Sequence, residues 1–286
     1  MDQTAPVFDL HCPPDWTGII IAAPHSGRYF PDWFLREAIL PLHLLRSSED
    51  PWLDLLIAGA ARHGAAVLTA RVSRAVVDLN RADSDLDPLL IQGLPRRVTD
   101  ARVASGLGVI PRVVSRGRAI FPPLHRIPRP EAQARLAALW QPYHATLAAL
   151  MARGRAQFGR AILLDIHSMP HEAVASQPPP MPQVVLGNRY GASATAEISD
   201  TVAEILHEQG FTLRHNNPFA GAHILSAHGL PRIGQHAIQL EFDRNLYLQA
   251  DGLTPSDGYD DFARRLDAAL AGIIARLAPS QRLAAE

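Results

Sequence analysis

Histidines and carboxylates that could do hydrolytic chemistry fall at the ends of short apolar runs in this chain. His25 follows Gly18–Ala23 (GIIIAA), and Asp78-Leu79-Asn80-Arg81 follows Ala75-Val76-Val77. Asp165-Ile166-His167-Ser168 closes the run that starts at Ala161, and Glu241 lies inside AIQLEF. Open α/β sheets bind ligands beyond the carboxyl ends of their strands. Two histidines and a carboxylate there would suit a catalytic zinc ion, which takes three protein ligands and keeps a fourth position for water. Neutral imidazoles with a single carboxylate leave the ion enough positive charge to acidify that water, and a further glutamate could take its proton.

Each position also has a plainer explanation. His25 could cap a strand, and Asp50 could cap the helix that Pro51 opens. Glu49 beside it could be a solvated charge, Arg81 a surface arginine, and Glu241 a solvent-facing residue opposite Leu240 and Phe242. Taken singly, each of these explanations is the stronger one. Together, at strand ends, they give way to a common site.

The elements that must position these residues are legible as alternating patterns. Gly18–Ala23, Ala65–Ala70, Ala75–Leu79, Ala161–Ile166, Val184–Leu186 and His236–Phe242 read as strands, the apolar runs as buried ones. A helix is expected from Asp50-Pro51 to His63, stopping at Gly64. Longer helices are expected over Pro130–Arg153, with a kink at Pro142, and over Ser193–Glu208 and Asp257–Leu277. Asp83–Arg129, rich in proline and arginine, reads as a long irregular excursion, a length that tends to carry function. No linker-like break and no repeat interrupts the pattern. One α/β domain over residues 1–286, with a mostly parallel or mixed central sheet flanked by helices, is the economical expectation.

Composition narrows the chemistry. The chain has 286 residues with 47% hydrophobic and 19% charged, an ordinary globular balance. A formal net charge of −1 gives no global field to recruit nucleic acid or an anionic membrane. All 27 basic residues are arginine, so mechanisms that need a lysine, Schiff bases and the Walker A loop among them, are excluded. An anionic group of a substrate can then be paired only by a guanidinium, a histidine or neutral donors, and of these the guanidinium suits bidentate carboxylate recognition. The single cysteine, Cys12, excludes an intrachain disulfide and a cysteine-rich zinc site. The first residues lack a basic start and an apolar run, and nothing approaches 18 uninterrupted apolar residues, so a cytoplasmic location is expected. His171-Glu172 and His207-Glu208 each begin an HExxH pattern without its second histidine. Gly106-Leu107-Gly108 fails as a dinucleotide fingerprint, and no GxSxG elbow occurs.

The ordered blocks Pro24-His25-Ser26-Gly27 with Pro31, Ser73-Arg74 then Val77-Asp78-Leu79-Asn80-Arg81, Asp165-Ile166-His167-Ser168-Met169-Pro170, Asn217-Pro218-Phe219-Ala220-Gly221, and Gln239-Leu240-Glu241 with Tyr247 resemble the N-formylglutamate amidohydrolase family. They span residues 24 to 247. The resemblance implies a zinc-peptidase-like α/β fold related to carboxypeptidases and aspartoacylase. It implies hydrolysis of a small anionic N-acyl amino acid, N-formyl-L-glutamate, to formate and glutamate. It makes His25, Asp50 and His167 ligands of Zn2+ or another divalent metal, and Glu241 the general base. Arg81 is the expected oxyanion donor, and Arg74, Asn80, Arg81, Arg189 and His223 are candidate substrate contacts. The HxxE pair of the related carboxypeptidases is absent, since Arg28 stands three residues after His25. The carboxylate ligand must come from elsewhere, from Asp50 or its neighbour Glu49.

Overall fold

Apolar runs that are buried on every residue form the middle of the sheet. The computed structural model describes residues 6–95 and 100–279; the leader reading of the first five residues, and Arg96 and Arg97 of the excursion, lie outside them. In chain order the strands are β1 (Phe8–His11), β2 (Ile19–Ala23), β3 (Ala66–Ala70), β4 (Val113–Val114), β5 (Arg118–Ala119), β6 (Ala161–Met169), β7 (Val184–Gly187), β8 (Leu213–His215) and β9 (Gln235–Asp243). Seven make one sheet, ordered β1-β3-β2-β6-β9-β7-β8, and β4 with β5 makes a small antiparallel pair. β2 and β9 run parallel to β6, β7 runs antiparallel to β9, and β8 runs parallel to β7. The expectation of an α/β fold with a mixed, mostly parallel sheet is met.

The described residues divide into two compact units. One comprises Pro24–Pro51, Thr69–Thr146 and the described residues before Leu10; the other comprises Leu10–Ala23, Trp52–Leu68 and those from Leu147 onward. In the first, aromatic rings supply part of the packing: Phe34 meets Phe30 and Phe121 with ring centroids 5.8 Å apart in each pair.

In the second unit, alternation along β6 and β9 separates two kinds of surface. Ile162, Leu164 and Ile166 of β6, and Ile238, Leu240 and Phe242 of β9, join the apolar core with the helices Ala196–Glu208 and Tyr259–Leu277. Each such buried side chain contributes about 1.5–3 kcal/mol from area removed from water. The residues between them, Asp165 and His167 on β6 and Gln239, Glu241 and Asp243 on β9, face the other way.

Several local expectations need correction. Ala75–Leu79 is not a strand; backbone N–H groups of Val76 and Val77 turn back to the Ser73 carbonyl. Its apolar side chains are buried, but in a loop, and burial alone does not distinguish the two. The helix expected from Asp50 begins only at Leu53, behind Trp52 in a left-handed conformation, and passes into a 3₁₀ segment, Ala58–His63, before Gly64 ends it. Asp50 therefore does not cap it. At Pro142 the expected irregularity is a π-helical turn, Leu136–Trp140, just ahead of the proline. Proline has no N–H for the Ala138 carbonyl, and a wider turn accommodates that loss.

Candidate metal and catalytic site

In the first unit, Asp50 and His25 are joined through both backbone and side chain. The Asp50 N–H donates to the His25 carbonyl at 2.9 Å, and Asp50 Oδ2 lies 3.5 Å from His25 Nδ1. The other ring nitrogen, Nε2, lies 2.7 Å from Asp78 Oδ1. Asp78 is held in turn: Arg74 Nη2 donates to its Oδ2 at 2.6 Å and the Asn80 N–H to its Oδ1 at 2.9 Å. Burial by itself raises the Asp78 carboxyl, but Arg74 and His25 outweigh it and hold the group well below the usual carboxylate range. Such an anion fixes the tautomer and orientation of the ring it holds.

Glu49, the alternative carboxylate, is turned to Arg46, whose Nε donates to it at 2.9 Å. Burial pushes its carboxyl up to about 7, against the pull of Arg46 and Arg28.

In the second unit the same arrangement recurs by a shorter route. His167 Nε2 lies 2.9 Å from Oδ2 of Asp165, two positions earlier on the same strand face. His167 stands opposite Glu241 in the parallel β6–β9 register. Glu241 Oε1 accepts a hydrogen bond from Gln239 Nε2 at 2.8 Å. Glu241 does face away from Leu240 and Phe242, as alternation requires, yet it is buried. Asp78, Asp165 and Gln239 are the residues whose roles sequence reasoning missed. The Asp-x-His spacing at 165–167 is a usable signal, because alternate strand residues share a face; Asp78 stands out only within its Asp78–Arg81 block, and nothing local pairs it with His25.

His25, Asp50 and His167 are all buried, and each offers one ligand atom such that these atoms lie within 4.8 Å of one another. Ligands about 2.0–2.2 Å from a tetrahedral zinc ion stand about 3.3–3.6 Å apart, close to the His25–Asp50 separation. Two imidazoles with one carboxylate, each imidazole backed by an aspartate, fit a divalent transition metal.

The remaining candidates differ in how they are held. Asn80 is buried beside Asp78. Arg74 is engaged with Asp78 and donates at 3.4 Å to the Ser48 carbonyl. Arg81 is half-buried, and its Nε has no hydrogen-bond partner among the described residues. Burial lowers the Arg81 guanidinium from its ordinary value, with Asp78 opposing and Arg102 and Arg74 reinforcing the shift.

Arg189 is exposed and left-handed (φ 51°), as is Tyr190 after it (φ 56°). Asn216 Oδ1 pins this turn by accepting from the N–H groups of Asn188 at 3.0 Å and Tyr190 at 3.2 Å. Because β7 opposes β9, Arg189 continues from Gly187, opposite Gln239, and so leads away from the Glu241–Asp243 end. His223 opens the short helix His223–His228.

A family model described as N-formylglutamate amidohydrolase matches residues 17–248. An N-formylglutamate deformylase of Pseudomonas aeruginosa is 33% identical over 236 residues, 80% of this chain and 82% of its own. One of Pseudomonas putida is 29% identical over 232 residues, 81% of this chain and 82% of its own. The crystal structure of an N-formylglutamate amidohydrolase from Ralstonia eutropha JMP134 superposes with a TM-score of 0.86 at 28% identity, covering 94% of this chain and 98% of that one.

Proposed function

The chain belongs to the N-formylglutamate amidohydrolase family, and from that premise we propose that it hydrolyses N-formyl-L-glutamate to formate and glutamate with a divalent metal, zinc by its donor set. The observation that carries this reading is the closeness of His25, Asp50 and His167, with each histidine backed by a buried aspartate. With Nε2 of each ring engaged by an aspartate, Nδ1 would be the nitrogen that holds the metal. A zinc ion bound there would polarise the formyl carbonyl and acidify a water molecule.

Glu241 takes a proton from the attacking water and returns it to the leaving amine. Its place opposite His167 and the hydrogen bond from Gln239 support that role. Arg81 donates to the oxygen that gains charge as the carbonyl becomes tetrahedral. Its buried Nε, without a hydrogen-bond partner among the described residues, supports a role toward an incoming group. Arg74 and Asn80 in one unit, and Arg189 and His223 in the other, are the further candidate substrate contacts.

The test is metal analysis of the purified protein, followed by assay on N-formylglutamate beside acetyl and succinyl amino acids. About one divalent ion per chain, activity lost on chelation and restored by zinc, and preference for the formyl substrate are expected. Faster turnover of another acyl group would make this a different N-acyl amino acid deacylase. Release of C-terminal residues from peptides would make it a carboxypeptidase.

A further inference from the structure

His171 and Asp243 form a histidine–carboxylate pair that the mechanism above does not use. His171 Nδ1 lies 2.7 Å from Asp243 Oδ2, with the histidine side chain 35% exposed and the aspartate 9% exposed. The other oxygen, Oδ1, accepts the Asn245 N–H at 3.0 Å, so both carboxylate oxygens are fixed.

The position of this pair is set by strand register. Asp243 lies two residues beyond Glu241 on the same face of β9 and stands opposite Met169, as Glu241 stands opposite His167. Two residues of strand advance about 6.6–6.8 Å. In extended N-formylglutamate, the formyl carbon and the side-chain carboxyl carbon are separated by five bonds, about 6 Å; the α-carboxyl carbon is only about 4 Å away. A substrate laid along the strand with its formyl group at His167 and Glu241 brings its side-chain carboxylate to Asp243. An aspartate alone would repel that group.

We propose that His171, held by Asp243, is the specificity residue that receives the side-chain carboxylate of the substrate, an inference that rests on the functional reading above. When both ring nitrogens carry a proton, Nδ1–H donates to Asp243 and Nε2–H is left to donate to the substrate. The carboxylate of Asp243 offsets the charge of the ring and fixes its plane.

The experiment compares His171→Asn and His171→Gln with wild type, each zinc-loaded, on N-formylglutamate and the uncharged N-formylglutamine. The asparagine amide can still donate to Asp243 but presents nothing where Nε2 stood; the glutamine amide reaches further and keeps a neutral donor. In His171→Asn the KM for N-formylglutamate should rise about 10–100-fold, as expected for one lost charge-assisted hydrogen bond, with kcat little changed. KM for N-formylglutamine, metal content and Tm should stay at wild-type values, and His171→Gln should fall between. Unchanged preference for glutamate over glutamine, or an equal loss on both substrates, overturns the assignment, and His171→Gln applies the same criterion should His171→Asn not fold. Wild-type protein that fails to turn over N-formylglutamate removes the functional reading and this inference with it. Wild-type turnover with preference intact in the variants removes only the role of His171.

Discussion

Glu241→Gln preserves the outline of the side chain and can still accept the hydrogen bond from Gln239, but it cannot take a proton. Turnover should drop ~10²–10⁴-fold with zinc content unchanged. A variant within a few-fold of wild type would make Glu241 a structural residue. Asp165→Asn tests the aspartate behind His167: the ring loses a charged partner but no volume, and zinc affinity measured by chelator competition should weaken about 10–100-fold. Equal affinity would mean that Asp165 does not orient a ligand. These residues were unequally legible. Asp165 was foreshadowed by its place two residues before His167 on one strand. Asp78 meets His25 from 53 positions away, a distance over which periodicity carries no information. The choice between Asp50 and Glu49 was open in the sequence because Asp50 looked like a helix cap; Trp52 occupies that position instead, and Glu49 is drawn to Arg46.

Strands built from unbroken apolar runs were readable because burial on every residue leaves a continuous hydrophobic record; β2 and β6 are of this kind. Ala75–Leu79 leaves a similar record while folding as turns, and the direction of β7 is written nowhere in its four residues. What composition hides, close approach reveals at Gly187 in that strand. A Cβ there would lie 2.7 Å from the Ala220 carbonyl carbon and 2.9 Å from the Gly221 nitrogen, so the Asn217–Gly221 loop rests directly on the strand. Gly187→Ala must push loop and strand apart, at a cost of about 1–3 kcal/mol. Tm should fall by several degrees while far-UV dichroism keeps its native shape. A variant as stable as wild type would show that the loop is not packed this way.

At the scale of the whole molecule, acid should find a specific weakness. Burial pushes the buried His228 ring down to about 4, with His223 adding to the shift and Asp165 opposing it. An unfolded histidine titrates near 6.5, so below that pH the unfolded chain binds a proton that the native ring refuses. Stability from this site is complete above about pH 6.5 and declines toward pH 4, by roughly 3 kcal/mol in all. Against a typical total of about 5–15 kcal/mol this is a large share. His228→Gln should therefore flatten the stability–pH curve between those limits in urea titrations, and an unaltered slope would exclude His228 as its source. The two surfaces of β6 and β9 carry one further implication. Even-numbered residues from Ile162 to Ile166 and from Ile238 to Phe242 belong to the apolar core, while odd-numbered ones from Asp165 to His167 and from Gln239 to Asp243 bear the polar groups. On the roles proposed above, substitution at an even position should be answered in stability and at an odd position in turnover, so that selection for endurance and selection for substrate could each act on these strands with little interference from the other.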